Sequence, residues 1–270
     1  MVDFVYESAP LVEVIAEVHW RIERLTTVPD GGIDPQFSAL LANLEQAFPR
    51  AGFPVVERLI PSQIPIELLA DKPILRYWRG TRQYPLIQIG PGLMTANIVP
   101  PYDGWNAFKP VVLQALDVLK SNYPMADALL KIERAQLRYI DGFTKRHGLT
   151  TYGHFVRENL AVAFSLPNEI TNSVQSPAED HIVCSADFGF PLRGKPNNSG
   201  VIRLRPGKVG EEPAAIMECA VHWQEPHEGI RLDALPEWFD EAHSCVSDWF
   251  FALVKERAVE KFGSKRSVSV

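Results

Sequence analysis

The side chains best suited to chemistry lie near the N-terminus, on a segment in which polar and apolar residues alternate. Between 12 and 22 the even positions are apolar, and the odd positions are polar except for Ile15. The polar positions, extended by one residue, are Glu13, Glu17, His19, Arg21 and Glu23. This period of two predicts a strand with one face on a core and one face in water.

On such a strand, neighbouring polar side chains of one face lie about 7 Å apart. Glu13 and Glu17 are two such steps apart and too distant to share a proton unless a neighbouring strand contributes, and a glycosidase-type pair of carboxylates is one alternative. A solvated sheet face with alternating charges explains the same pattern without any catalysis. His19, between Glu17 and Arg21, fits that second explanation.

A second polar face is predicted on the strand from Arg134 to Phe143. Together, the two strands supply the predicted binding face, which consists of Glu13, Glu17, His19, Arg21, Arg134, Arg138 and Tyr139. If the two faces meet, their glutamates and arginines either pair with each other or line a groove. A groove of this kind with nearby aromatic residues would also suit single-stranded nucleic acid.

Known catalytic signatures are absent from the sequence. It contains no HExxH, GxSxG, Walker A or GxGxxG motif, and its seven histidines lack helical metal-ligand spacing. The segment Gly90-Pro91-Gly92 has the residues of a type II turn rather than of a phosphate loop. We therefore predict no catalytic residue, no metal and no cofactor.

Composition narrows the class of protein. The net charge of −6 is opposite to the basic balance of most nucleic-acid binders, so nucleic acid is an unfavoured partner. Three widely spaced cysteines without a CxxC pair indicate a reducing compartment. No signal peptide or apolar run of about 20 residues occurs, so we predict a cytoplasmic protein without a membrane span.

The elements that must position these residues follow from periodicity. A helix begins near Asp34 and Pro35, strands follow up to Val99, and a second helix covers about 106–119. The pattern then repeats: a strand from Arg134, a helix Tyr152–Phe164 with Phe164 inward, three strands, and a long helix that runs from Asp233 to about Val259. The tail 261–270 is predicted to fray.

These patterns predict an α+β fold. It consists of two similar β-α-β(3-4)-α halves with mainly antiparallel sheets, each covered on one face by helices. The first half spans 1–124, and the second spans 125–270 and ends in the long amphipathic helix. The repeat of elements indicates an internal duplication.

The chain also resembles a family of sporadically distributed bacterial proteins of about this length. The matching residues run in order along the chain: Ala9-Pro10-Leu11-Val12-Glu13, Gln88 to Leu93, Asn97, Trp105, Phe108-Lys109-Pro110, Leu137-Arg138-Tyr139-Ile140, Ala242-His243 and Phe250 or Phe251. The resemblance implies no activity. The patchy occurrence of the family implies an accessory location, such as a defence or toxin–antitoxin locus.

Two functions remain open. The first is a non-enzymatic binding or regulatory component that acts with a protein partner or as a homodimer. The second is a hydrolase or nuclease-type enzyme with a site assembled from both halves. A closed pocket that holds two carboxylates, or a histidine with a carboxylate, would favour the enzyme.

Overall fold

A computed structural model describes residues 4–26, 31–173, 183–225 and 227–267 of the chain. It is an α+β structure with a large antiparallel β-sheet, as the sequence predicts at this level. In the residues that it describes, no helix is long and apolar enough to cross a membrane.

The strands and helices are numbered here in chain order. The strands are β1 (Phe4–Tyr6), β2 (Leu11–Trp20), β3 (Glu23–Arg24), β4 (Gly32–Ile33), β5 (Val55–Arg58), β6 (Leu75–Gly80), β7 (Gln83–Gly90), β8 (Leu93–Ile98), β9 (Ile132–Phe143), β10 (Ala186–Pro191), β11 (Asn198–Val209), β12 (Glu212–Gln224) and β13 (Lys265–Ser267). The helices are α1 (Phe37–Arg50), α2 (Trp105–Asn122), α3 (Ala126–Leu129), α4 (Tyr152–Asn159), α5 (Asn168–Thr171), α6 (Leu235–Leu253) and α7 (Glu256–Val259).

The chain divides into two compact units, each built from separated segments. The unit named here the N-terminal unit comprises Val14–Leu137 and His222–Asp240. The C-terminal unit comprises Met1–Glu13, Arg138–Val221 and Glu241–Val270. The halves 1–124 and 125–270 divide the sequence by its repeated order of elements, and that division remains a prediction.

In the N-terminal unit, strands hydrogen-bond in the order β9-β2-β8-β7-β6-β5. Strand β2 pairs antiparallel with β8, from Val14 opposite Ile98 to His19 opposite Leu93. This pairing confirms the predicted strand, but the odd-numbered face is not open to water as predicted, because Ile15 and His19 are buried. Val14, Val18 and Trp20 are buried because the even positions face the core.

Two amphipathic helices supply the rest of this core. The buried positions of α1 are Phe37, Leu40, Leu44 and Phe48, spaced by three or four residues as predicted. Helix α2 buries Phe108, Val112, Ala115 and Leu119 in the same way. Asp34, the predicted N-cap, accepts a hydrogen bond from the backbone N–H of Gln36 (2.9 Å), which precedes the helix, and its carboxylate also accepts from Trp20 (2.7 Å) and Tyr123 (2.9 Å).

In the C-terminal unit the strand order is β10-β11-β12-β9. Strands β11 and β12 are longer than their apolar residues predict. Both strands include polar, exposed residues at their ends, which apolar periodicity does not identify. Phe143 of β9 lies among Phe155, Phe250 and Phe262, with ring centroids 5.1–6.4 Å apart. This aromatic cluster is the centre of the unit's core.

Three predictions about the second half are wrong in part. Helix α4 ends at Asn159, where Leu160 becomes extended and bridges Val254, and Phe164 is 44 % exposed rather than inward. The long helix is shorter than predicted, because α6 ends at Leu253, directly before Val254 of this bridge. The tail does not simply fray, because β13 pairs with β1.

Candidate binding sites on the polar face of the sheet

The first candidate site, the His19 cluster, lies in the N-terminal unit and consists of Glu17, His19, Arg24, Asp71 and Arg134. His19 is 7 % exposed. Its Nε2 lies 2.5 Å from Glu17 Oε1, and its Nδ1 lies 3.1 Å from Asp71 Oδ1 and 2.8 Å from a guanidinium nitrogen of Arg134. Asp71 in turn accepts a hydrogen bond of 2.5 Å from Arg24.

The two contacts at Nδ1 exclude each other chemically. Arg134 can only donate, so its hydrogen bond needs an Nδ1 without a proton. Asp71, when ionised, can only accept, so its hydrogen bond needs a proton on Nδ1. The protonation state of His19 therefore decides whether Nδ1 binds Arg134 or Asp71, while Nε2–H donates to Glu17 in both states.

Electrostatics favour the protonated state. Burial by itself lowers the pKa of His19, but the hydrogen bonds to Asp71 and Glu17 outweigh it, and the pKa is raised. Burial likewise opposes ionisation of Asp71, yet His19 and Arg24 hold its pKa below the ordinary value. The opposite shifts of the two partners are those of an ion pair.

A loop and a turn bring Asp71 to the histidine. Asp71 has a left-handed backbone conformation with φ of 56°, and its N–H donates to the Pro91 carbonyl (2.8 Å). Gly92 follows in the predicted turn with φ of 76°. A Cβ at Gly92 would lie 3.1 Å from Asp71 Oδ1, so glycine is needed there both for the turn and for the close approach.

A row of polar side chains crosses the same unit from strand to strand. The register places Glu17 opposite Thr95, Thr95 opposite Gln88, Gln88 opposite Arg76, and Arg76 opposite Glu57. Hydrogen bonds join Gln88 to Thr95 (3.2 Å) and Arg76 to Gln88 (2.9 Å). The middle of this row is neutral and internally satisfied.

The second candidate site, the Glu218 cluster, lies in the C-terminal unit and consists of Arg138, Asp187, Arg203, Arg205 and Glu218. Glu218 is only 3 % exposed. Its carboxylate lies 2.7 Å from Arg203, 3.2 Å from Arg205 and 3.8 Å from Arg138. Asp187 stands directly opposite Arg203 on β10, with their charged atoms 3.6 Å apart.

The structure does not bring all residues of the predicted binding face together in one site. Glu17, His19 and Arg134 are together in the His19 cluster, where the glutamate and the arginine bind the same ring. Arg21 instead pairs with Glu133 at 2.5 Å. The role of these residues in binding remains a prediction.

The remaining predicted residues belong to the C-terminal unit. Arg138 takes part in the Glu218 cluster, and Glu13 is half-buried on β2. Tyr139 was grouped wrongly with Arg138, because adjacent residues of a strand point to opposite faces. Its hydroxyl contacts His243 of α6 at 2.9 Å, on the helix side of the sheet.

The C-terminal unit also contains a groove of about 570 Å³ beside α4 and α5. Its lining is mostly apolar, with Val156, Leu160, Phe164 and Leu166 among the contributors and Lys255 at the side. Among the described residues that line it there is neither a carboxylate nor a histidine, and its titratable side chains are Arg157, Cys184 and Lys255.

The described residues offer little support for metal or thiol chemistry. The described part of the chain contains no group of three or more ligating side chains placed to hold a metal ion. All three cysteines are free thiols, and burial raises the pKa of Cys219 far above its ordinary range. A protonated, buried thiol is a packing residue rather than a nucleophile.

Sequence reasoning missed six residues of the two clusters, namely Arg24, Asp71, Asp187, Arg203, Arg205 and Glu218. The alternation Arg203-Leu204-Arg205 does signal two arginines on one face of a strand. Asp71 gives no such signal, because it lies in a proline-rich loop 52 residues away from His19.

No family model matches this chain, and no curated protein matches it either.

Proposed function

We propose that the chain is a non-enzymatic binding or regulatory protein that acts with a partner protein through its Glu218 cluster. One observation carries the proposal: three guanidinium groups converge on a single buried carboxylate. Each guanidinium has five N–H donors, whereas one carboxylate offers about four acceptor positions. Even with Asp187 beside Arg203, donors are therefore left over, and the side chain of Arg205 is 52 % exposed.

Such a surface is suited to an acidic partner segment. Arginine is enriched at protein interfaces because its planar fork binds carboxylates bidentately. Charges of this kind increase association rates and fix the relative register of two proteins. The buried Glu218 keeps the arginines oriented, so little side-chain entropy is lost when a partner binds.

The test requires the partner to be identified and then rebound in purified form. The full chain is cross-linked and captured from the source organism, and binding to the purified partner is then measured by calorimetry. We expect Arg203→Glu with Arg205→Glu to weaken binding at least tenfold, and Arg193→Glu, an exposed control, to change it less than twofold. Unchanged binding by the double variant, or a lone monomer at every concentration, would contradict the proposal.

The resemblance to the sporadically distributed bacterial family stays part of this proposal, as does a location in a defence or toxin–antitoxin locus. Such a locus would place the gene for the partner beside this one. Co-expression with neighbouring genes is therefore the direct route to the partner, and size-exclusion chromatography separates a heteromeric complex from a homodimer.

We also propose that the halves 1–124 and 125–270 arose by duplication. The strand orders support it, because β2-β8-β7-β6 in the first half corresponds to β9-β12-β11-β10 in the second. Along the chain, β2 in the first half and β9 in the second each precede a helix, then antiparallel strands, then a long helix. Alignment of homologues, half against half, would test this origin.

A hydrolase is the second candidate, and the His19 cluster is the observation that favours it. A histidine between two carboxylates is the constellation of a general base. Against it, both ring nitrogens of His19 are engaged and the residue is buried. Turnover of ester or phosphodiester substrates by the wild type that is lost in both His19→Ala and Glu17→Gln would establish the enzyme. If the wild type is no more active than these variants, the hydrolase hypothesis is rejected.

A further inference from the structure

The Glu218 cluster holds hydrogen-bond donors that its own carboxylates do not fill. Arg138 Nε is buried without a hydrogen-bond partner. The nearest nitrogen of Arg138 reaches Glu218 only at 3.8 Å, whereas Arg203 approaches it to 2.7 Å. Buried donors of this kind are rare in proteins, and each is a place where a ligand oxygen would be stabilised.

We infer that Arg138, Arg203 and Arg205 form a binding site for an oxyanion, the carboxylate or phosphate group of a ligand. Arg203 and Arg205 project from the same face of β11, about 7 Å apart. Arg138 reaches Glu218 from β9. The three guanidinium groups thus converge from two strands on the Glu218 carboxylate, and planar forks of this kind match the oxygens of a second oxyanion beside it.

The charges of the cluster favour an anion. Three arginines oppose two carboxylates, Glu218 and Asp187, which leaves a positive charge of one. The Asp187 side chain is 79 % exposed, so water screens much of its charge. The arginines are 28–52 % exposed, which leaves them accessible to a ligand.

This inference deepens the proposed function by naming the chemical group that the cluster binds. It is tested with small molecules alone, so either proposal can fail without the other. The cluster can bind an anion although no protein partner binds to it. A protein partner can also bind elsewhere on the surface although no anion binds to the cluster.

The test is calorimetric titration of the full chain with pyrophosphate and, separately, with a hexaglutamate peptide at low ionic strength. We expect saturable binding of at least one probe, weakened at least fivefold by Arg203→Ala and less than twofold by the control Arg193→Ala. The probe that binds more tightly identifies phosphate or carboxylate as the natural group.

In the same experiment, Glu218→Gln tests whether the Glu218 carboxylate competes with the bound anion. It removes the competing charge and frees the donors while it keeps the shape of the side chain, so we expect affinity to rise about fivefold. A purely structural Glu218 would give unchanged or weaker binding. If Glu218→Gln does not fold, Asp187→Asn on the exposed rim takes its place, with an expected rise of about twofold.

Two results would overturn the inference. One is the absence of binding by both probes to the folded wild-type chain. The other is binding that Arg203→Ala leaves unchanged, since the anion would then lie elsewhere on the surface.

Discussion

The two clusters use the same kinds of side chain in opposite proportions. In the His19 cluster one titratable base contacts two carboxylates and one arginine, so its hydrogen bonds depend on pH. In the Glu218 cluster one carboxylate contacts three arginines, which remain charged at every physiological pH. Each cluster has one buried arginine Nε without a hydrogen-bond partner, on Arg134 in the first and on Arg138 in the second, but only in the second do the arginines outnumber the carboxylates.

The difference shows that a polar sheet face need not be a binding surface along its whole width. Where amides, hydroxyls and a histidine satisfy one another, as between Glu17 and Gln88, the face is internal structure. Where guanidinium groups outnumber the carboxylates, donors remain available, and this is the basis of the proposed binding site. The following experiments probe that contrast, from the largest expected effect to the smallest.

Glu218→Ala should have the largest effect, because it leaves three arginines without their shared carboxylate. We expect a loss of about 2–3 kcal/mol in the free energy of unfolding, somewhat below the usual cost of breaking a buried ion pair because the arginines are partly exposed. Urea denaturation measures it. Asp187→Ala, on the exposed rim, should change stability by no more than about 0.5 kcal/mol, and equal losses would contradict the contrast between the two carboxylates.

Asp141 is a buried carboxyl of the same unit that, unlike Glu218, has no arginine beside it in the described part of the chain. Burial raises the pKa of Asp141 to about 8, and among the described residues no arginine or hydrogen bond holds it. Because the folded pKa lies above the unfolded one, its contribution to stability is present at low pH and declines as pH rises from about 4 toward 8.

Asp141→Asn removes this titration. We expect the variant to be more stable than the wild type by about 2 kcal/mol at pH 8.5, and the advantage to shrink toward pH 4. Urea midpoints at the two pH values measure it. A gain that is independent of pH would show that packing, rather than ionisation, is responsible.

His19→Gln tests the pH-dependent network. The raised pKa of His19 means that its ion pairs stabilise the fold fully below pH 6.5, and that this contribution is lost as pH rises through the folded value. We expect the variant to lose about 1–2 kcal/mol at pH 6 and less at pH 8.5. His227→Gln, an exposed position of the same unit, should retain the wild-type pH dependence.

Thr95→Val tests the neutral row and should have the smallest effect. Thr95 accepts a hydrogen bond from Gln88 and donates one of 2.6 Å to Asn97. Their loss should lower stability by about 1 kcal/mol, with no dependence on salt or pH. A strong salt dependence would mean that the row carries charge, and the contrast with the Glu218 cluster would fail.

Much of the local structure was predictable from the sequence because it depends on near neighbours. The alternation in β2, the apolar stripes of α1 and α2, and the glycine at the second central position of the turn before Leu93 each follow from periods of two or three to four residues. The limit of helix α4 was not predictable, because Leu160 leaves the helix to bridge Val254, 94 residues further on.

The candidate sites were predictable only in part, for the same reason. Periodicity identifies the face on which Glu17, His19 and Arg138 lie, but not the strand that comes to lie beside them. His19 meets Asp71 across 52 residues, and Glu218 meets Arg138 across 80. Such pairs depend on strand order and register, which no local pattern specifies.

The sequence by itself therefore determined the α+β class, the main helices and strands, and the alternation that places polar side chains on one face of a strand. These features arise from the chain's local geometry and from the removal of apolar side chains from water. Only the tertiary structure decided which charges meet. Packing placed one histidine between two acids and one acid among three arginines, because distant strands were brought into register.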